Sequence, residues 1–159
     1  SPGLVAKPVF SPYYHSRNED LLVRTTKVTK KDVSPALFYV PVLFQNKVDV
    51  DFEIRAFAVG RKVVLFRLST RGKLYTDIRN ISPEKVLIEP QEDIWNLRPL
   101  LLKLMQRFRI NFCSADFLVD RKGKPYFVDL NPNGQWLFLE EETHVNLSDM
   151  FIRFLKAKL

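Results

Sequence analysis

The sequence predicts an α+β chain built on antiparallel strands, and three observations carry that expectation. Alternating apolar and polar residues flank two short polar loops, Gly60-Arg61 and Asp120-Arg121-Lys122-Gly123-Lys124, the pattern of β-hairpins. Apolar residues recur every three or four positions before Arg109 and again after Asn146, the spacing of amphipathic helices. At 159 residues, 46% hydrophobic and 13% aromatic, the chain is long enough to bury a core as one domain or a compact pair of lobes.

In chain order, Leu4 to Phe10 is an apolar run interrupted by the single Lys7, the pattern of an edge strand guarded by a charge. Ser11 to Asp20 is polar and aromatic and Leu21 to Val28 is rich in strand formers, which together suggest a two-stranded flap. Ser34-Pro35 marks a boundary, after which Phe38 to Gln45 and Phe52 to Val59 read as strands. Gly60-Arg61 turns tightly into a further strand, Lys62 to Leu68. Period two places Glu53, Arg55 and Phe57 on one strand face and Phe52, Ile54 and Ala56 on the other; by itself Glu53 with Arg55 is an exposed ion pair. Tyr75 to Asn80 reads as a surface loop with an Asp77-Arg79 pair, and Pro83 to Glu92 as a polar connection with two prolines. From about Glu92 to Arg107 the residues Ile94, Leu97, Leu101, Leu104, Met105 and Phe108 form a helical stripe; Pro99 allows the helix to begin there instead, with Asn96 near its N-cap. The last helix spans Asn146 to Lys158, with Leu147, Met150, Phe151, Phe154 and Leu155 as its packing stripe.

The most informative stretch is Phe112 to Gln135. On its first arm Cys113, Ala115, Phe117 and Val119 face one way and Ser114 and Asp116 the other. On its second arm Tyr126, Val128 and Leu130 are expected on the apolar face, with Asp129 and Asn131 opposite. A loop centred near Lys122 sets Asp116 roughly across from Asp129, and facing like charges destabilise a strand pair, so something positive belongs between them. Two carboxylates and an amide oxygen on one face suit Mg²⁺, which keeps waters and shares its shell with substrate phosphates. In the absence of metal, Asp116→Asn and Asp129→Asn are then both expected to leave stability unchanged or raise it. The plainer alternatives are solvated acidic residues on an exposed face, and an ordinary turn at Asn131-Pro132-Asn133-Gly134.

Composition narrows the classes. No apolar run reaches the length of a membrane span, and a single cysteine excludes an intrachain disulfide and a cysteine-based zinc site, so a cytoplasmic setting is expected. Cys113 falls on the apolar face, as a small buried hydrophobe and not a nucleophile. The net charge of +7 asks for an acidic partner; nucleic acid is disfavoured because the basic residues are dispersed and lack aromatic interleaving.

Asp116-Phe117-Leu118-Val119 followed by Tyr126-Phe127-Val128-Asp129-Leu130-Asn131-Pro132-Asn133-Gly134-Gln135-Trp136 resembles the end of an ATP-grasp ligase. The continuation to Glu140 resembles most closely the RimK-type branch that includes the peptide-modifying ligases of microviridin biosynthesis. The resemblance implies the ATP-grasp fold, two α+β lobes on antiparallel sheets with ATP between them: residues 1–45 as the nucleotide-binding lobe and 46–159 as the lobe carrying the metal hairpin. It implies Asp116, Asp129 and Asn131 as Mg²⁺ ligands. Val5-Ala6-Lys7-Pro8 is similar to the family segment whose lysine contacts the nucleotide phosphates, which nominates Lys7. Phe44-Gln45 through Glu53-Ile54-Arg55 resembles the family linker, so the backbone of Gln45, Asn46, Lys47 and Val48 would read adenine. Glu53, or alternatively Asp51, would take the ribose, and Arg55 would face the phosphates or the acyl substrate. Arg79, with Asn80, is the carry-over for gripping the transferred phosphate. The sequence departs from the family in having no glycine between Gly3 and Gly60 for a phosphate-covering loop, leaving Ser11, Tyr13, His15 and Ser16 as stand-ins. The family's N-terminal domain is not represented, so these residues are expected to be the catalytic lobes of a longer chain or an unusually short relative.

The implied function is an ATP- and Mg²⁺-dependent ligase that joins a carboxylate to an amine or hydroxyl through an acyl phosphate, on a peptide or amino-acid substrate. The competing classes are a nucleotide-binding module without ligase activity and a basic domain that binds nucleic acid or acidic peptide.

Overall fold

The structure is a computed structural model that describes residues 3–9, 13–15, 20–22, 24–33, 35, 41–70 and 75–159, with the backbone alone at 13–15 and 20–22. Ser11, Ser16, the first part of the strand expected at Phe38 and the loop around Gly72 lie outside the described residues, as do the side chains of Tyr13 and His15. The chain divides into two compact units, Ser1–Asp49 with Leu74–Pro83, and Val50–Lys73 with Glu84–Leu159.

In the first unit β1 (Leu4–Pro8) lies between β4 (Thr26–Val28) and β5 (Val42–Asn46), both antiparallel to it. β1 is therefore the centre of a sheet and not an edge strand, and its lysine has no edge to guard. Val5 is opposite Gln45 and Lys7 is opposite Leu43, so Lys7 and Gln45 share one face. A separate pair, β2 (Tyr13–His15) with β3 (Asp20–Leu22), supplies the two-stranded hairpin expected there.

The second unit is a five-stranded antiparallel sheet in the order β10-β9-β6-β7-β8, with β6 Val50–Val59, β7 Lys62–Ser69, β8 Leu87–Gln91, β9 Phe112–Asp120 and β10 Pro125–Asn131. Gly60 makes the β6–β7 turn with φ +58°, and any side chain on it would meet the Phe154 ring at 2.7 Å. β8 falls where a polar connection was expected. Its Pro90 is compatible with a strand because β8 is at the sheet edge, where a missing N–H leaves no ladder bond unmade.

One face of this sheet packs on α1 (Leu97–Phe108): Ile54, Ala56, Leu65, Cys113 and Ala115 meet Leu97, Leu101 and Met105. Ile94 and Phe108, expected in that stripe, are exposed. The helix starts later than the apolar spacing allows because Asp93, and not Asn96, takes the Leu97 and Arg98 backbone N–H groups, at 2.6 and 2.8 Å. On the other face α2 (Leu137–Thr143) and α3 (Leu147–Lys156) are held by an aromatic cluster of Phe57, Phe112, Trp136 and Phe151, with ring centroids 5.2 to 5.8 Å apart. Phe57 and Phe66 are fully buried, each stabilising the sheet by about 1.5–3 kcal/mol. Among the described residues no helix is long and apolar enough to cross a membrane.

Candidate functional site

The hairpin β9–β10 places Asp129 directly opposite Asp116, sharpening the rough opposition expected from the sequence, and Asn131 directly opposite Ser114. The turn between the strands is fastened by Asp120, whose carboxylate accepts from the Lys122 and Lys124 backbone N–H groups at 2.9 Å and from the Tyr126 hydroxyl at 3.1 Å. Those bonds hold its carboxyl below the usual range. The expected sharing of one apolar face by Tyr126, Val128 and Leu130 does not hold. Phe127 pairs with Phe117 and Asp129 with Asp116, so Val128 is the extra residue of a β-bulge. The bulge puts Tyr126 on the Asp129 side and Phe127 with Leu130 on the other. Without it, the sequence spacing between Phe127 and Asp129 would leave both on one face.

The positive group beside Asp116 is an arginine. β6 lies against β9 with Arg55 opposite Asp116, and the guanidinium donates from Nε and Nη2 to the two carboxylate oxygens at 2.7 and 2.8 Å. Such a fork fixes orientation as well as charge. The pair is about a quarter exposed, and the guanidinium also lies 5.5 Å from the centre of the Phe138 ring. Phe138 was missed by sequence reasoning, because its approach to Arg55 depends on how α2 docks. Asp129 is exposed, and its carboxylate has no hydrogen-bond or ion-pair partner among the described residues. Glu53 sits on the same face of β6, two residues before Arg55.

Asp116, Asp129 and Asn131 offer hard oxygen donors on one face, the donor type that suits Mg²⁺ sharing its shell with phosphates. Among the described residues no three His, Cys, Asp or Glu side chains group to hold a metal unaided, so an all-protein cage is not what is offered. Asn131 Oδ1 accepts from the Asn133 N–H at 2.8 Å, which fixes the amide and leaves its second lone pair for a cation. Each Asp116 oxygen likewise retains a lone pair beyond its bond to Arg55. Cys113 is buried on the opposite face with its thiol pushed up to about 11, so it supplies no thiolate.

Lys7, Gln45, Asn46, Lys47 and Val48 belong to the first unit. The Lys47 N–H donates to the Gly3 carbonyl at 2.6 Å, which sets the path of the segment leaving β5. Arg79 also lies in this unit, and its Nε and Nη2 bind the buried Asp77 at 2.8 and 2.5 Å, the pair expected of a plain surface loop. Arg24, not singled out from sequence, donates to the Arg79 carbonyl and to Asn80 Oδ1. Burial alone would raise the Asp77 carboxyl. The Arg79 guanidinium and the Arg79 and Thr25 backbone N–H groups outweigh it and hold the carboxyl below its usual value. The stability this contributes is present above the unfolded pKa of about 3.9 and is lost as pH falls through the lower folded value. The stability difference between the natural chain and Asp77→Asn is therefore expected to be constant from neutral pH to about pH 4 and to shrink below it, read by urea unfolding at each pH. A difference that does not change with pH would show that the Asp77 charge is not what the loop uses.

Neither a protein-family model nor a curated protein matches the chain. Solved structures do. A RiPP-associated ATP-grasp ligase from Chryseobacterium gregarium, in complex with ADP and a leader and core peptide, is 23% identical, with a TM-score of 0.87 over 99% of this chain and 49% of its own. The macrocyclase MdnC from Microcystis aeruginosa, bound with precursor peptide MdnA, is 25% identical, with a TM-score of 0.73 over 88% of this chain and 44% of its own. D-alanine–D-alanine ligase from Bacillus anthracis is more distant, at 15% identity and a TM-score of 0.58 over 98% of this chain and 55% of its own. The chain thus spans about half the length of the structures it matches. Its fold is the ATP-grasp fold, in the form similar to that of peptide-modifying ATP-grasp ligases.

Proposed function

We propose that the chain is the catalytic region of an ATP- and Mg²⁺-dependent ligase acting on a peptide. The single observation that carries this reading is the clustering of Arg55, Asp116, Asp129 and Asn131 on one sheet face of an ATP-grasp fold. The ADP and the leader, core and precursor peptides bound in the similar structures support the nucleotide and the substrate class. In the reaction class proposed, a substrate carboxylate oxygen takes the γ-phosphoryl group of ATP and ADP leaves. An amine or hydroxyl then attacks the acyl carbon, inorganic phosphate departs, and the nucleophile loses its proton, leaving an amide or ester.

Asp129, Asn131 and Asp116 would hold Mg²⁺, which when bound neutralises charge on the phosphates. Arg55, fixed by Asp116 and Phe138, presents a permanent positive charge to phosphoryl or acyl oxygens. Glu53 is proposed to accept from the ribose hydroxyls, and Lys7 and the backbone of Gln45 to Val48 to contact the nucleotide. Arg79 is proposed as the grip on transferred phosphate, in exchange for or alongside its bond to Asp77.

The test is phosphate release from ATP with Mg²⁺ and a panel of acidic peptides, alongside ADP affinity with Mg²⁺ and with EDTA. Peptide-dependent phosphate release is expected. Nucleotide binding without release by any peptide would favour a binding module, which the absence of glycine between Gly3 and Gly60 also fits. Equal affinity in EDTA would remove the metal from the reading.

A further inference from the structure

In the Asn131–Gly134 turn, Gly134 lies against Ser114 of β9. Ser114 is 3% exposed, its Oγ is buried, and that hydroxyl has no hydrogen-bond partner among the described residues. A Cβ added to the buried Gly134 would lie 2.2 Å from Ser114 Oγ, 2.4 Å from Ser114 Cβ and 3.2 Å from the Ser114 backbone N. Gly134 does not have the left-handed backbone that demands glycine, so the requirement there is for space. The turn is closed by the Gly134 N–H donating to the Asn131 carbonyl at 3.2 Å, and the same Asn131 faces Ser114 across the strand pair. Lifting Gly134 off Ser114 therefore lifts Asn131, and with it the Asn133 N–H that orients the Asn131 amide oxygen.

We infer that Ser114 and Gly134 are positioning residues: their contact sets the height of the turn over the sheet and so aims Asn131 Oδ1 at the cation held beside Asp129. This rests on the ligase reading above for the cation, though not for the contact itself. The Ser114 hydroxyl contributes nothing to the seat except its small size. A buried hydroxyl without a partner is destabilising, so Ser114→Ala keeps the seat and does not lower stability.

The test uses Gly134→Ala and the double variant Ser114→Gly/Gly134→Ala, in which both atoms nearest the new methyl are gone. Two quantities are read: the Asn131 side-chain amide resonances of the metal-free chain, and ADP affinity with Mg²⁺ and with EDTA. Gly134→Ala should shift the Asn131 amide signals and reduce the Mg²⁺-dependent gain in affinity by about tenfold or more, the range for groups that orient metal ligands, while affinity in EDTA stays unchanged. The double variant should bring back both the signals and most of the gain. A general structural role would lower affinity in both conditions and show no rescue, and that result overturns the inference, as does an unshifted amide in Gly134→Ala. If the natural chain shows no Mg²⁺-dependent gain while the amide shift and its rescue are seen, the metal reading fails and the positioning contact stands.

Discussion

Asp116→Asn is expected to lower the stability of the chain by about 2 kcal/mol, whereas Asp129→Asn leaves it unchanged or raises it by a few tenths. Facing carboxylates on a strand pair suggest from sequence that the two substitutions act alike, each relieving repulsion. The structure breaks that symmetry. Asp116 accepts both bonds of the Arg55 fork at about a quarter exposure, so neutralising it removes the charge from a bidentate, partly desolvated pair. Asp129, exposed and with no partner among the described residues, contributes only repulsion in the metal-free state. Urea unfolding without metal reads the contrast as a lowered midpoint for Asp116→Asn and an unchanged or raised one for Asp129→Asn, at constant slope. Equal shifts for the two variants would mean that Arg55 does not discriminate between them in solution. Arg55→Met should behave like Asp116→Asn, since it leaves the two carboxylates facing each other without a counter-ion.

The parts of the fold that were legible in the sequence are those fixed by short-range rules. Period two with a glycine-containing loop put Asp116 roughly across from Asp129, the bulge at Val128 completing the direct opposition, and Gly60-Arg61 gave the β6–β7 hairpin. What was hidden depends on contacts distant in sequence or on one-residue irregularities. Arg55 and Asp116 are 61 positions apart and meet only because β6 and β9 pair, so the positive group demanded by the facing carboxylates could not be named beforehand. The bulge at Val128 carries no composition signal, yet it reverses the faces of Tyr126 and Phe127 relative to the residues after it. Pro90 concealed β8, because a proline argues against a strand unless that strand is known to be an edge. At α1 the sequence pointed to Asn96 as the cap, and only the geometry shows that Asp93, three residues earlier, makes the bonds. The contact of Gly134 with Ser114 was likewise invisible, since glycine in Asn-Pro-Asn-Gly is already accounted for by turn formation.

Asp129→Ala is expected to remove the Mg²⁺-dependent part of nucleotide affinity, a loss of tenfold or more, equivalent to at least about 1.4 kcal/mol, while affinity in EDTA is unchanged. Among the three proposed ligands Asp129 alone is an uncommitted anion. Asp116 shares its charge with Arg55, and Asn131 is neutral and already oriented by the Asn133 N–H. Loss of Asp129 therefore removes the full negative charge that attracts a dication to this face, with no buried ion pair broken and little reason for the fold to respond. Asp129→Glu should recover part of the effect, because the charge returns but the longer side chain moves it relative to Asn131. Calorimetry of ADP binding in Mg²⁺ and in EDTA separates the terms, with unfolding midpoints as the control for fold. If Asp129→Ala retains the Mg²⁺-dependent gain, the cation is held elsewhere and the facing carboxylates are a solvated surface feature of the hairpin.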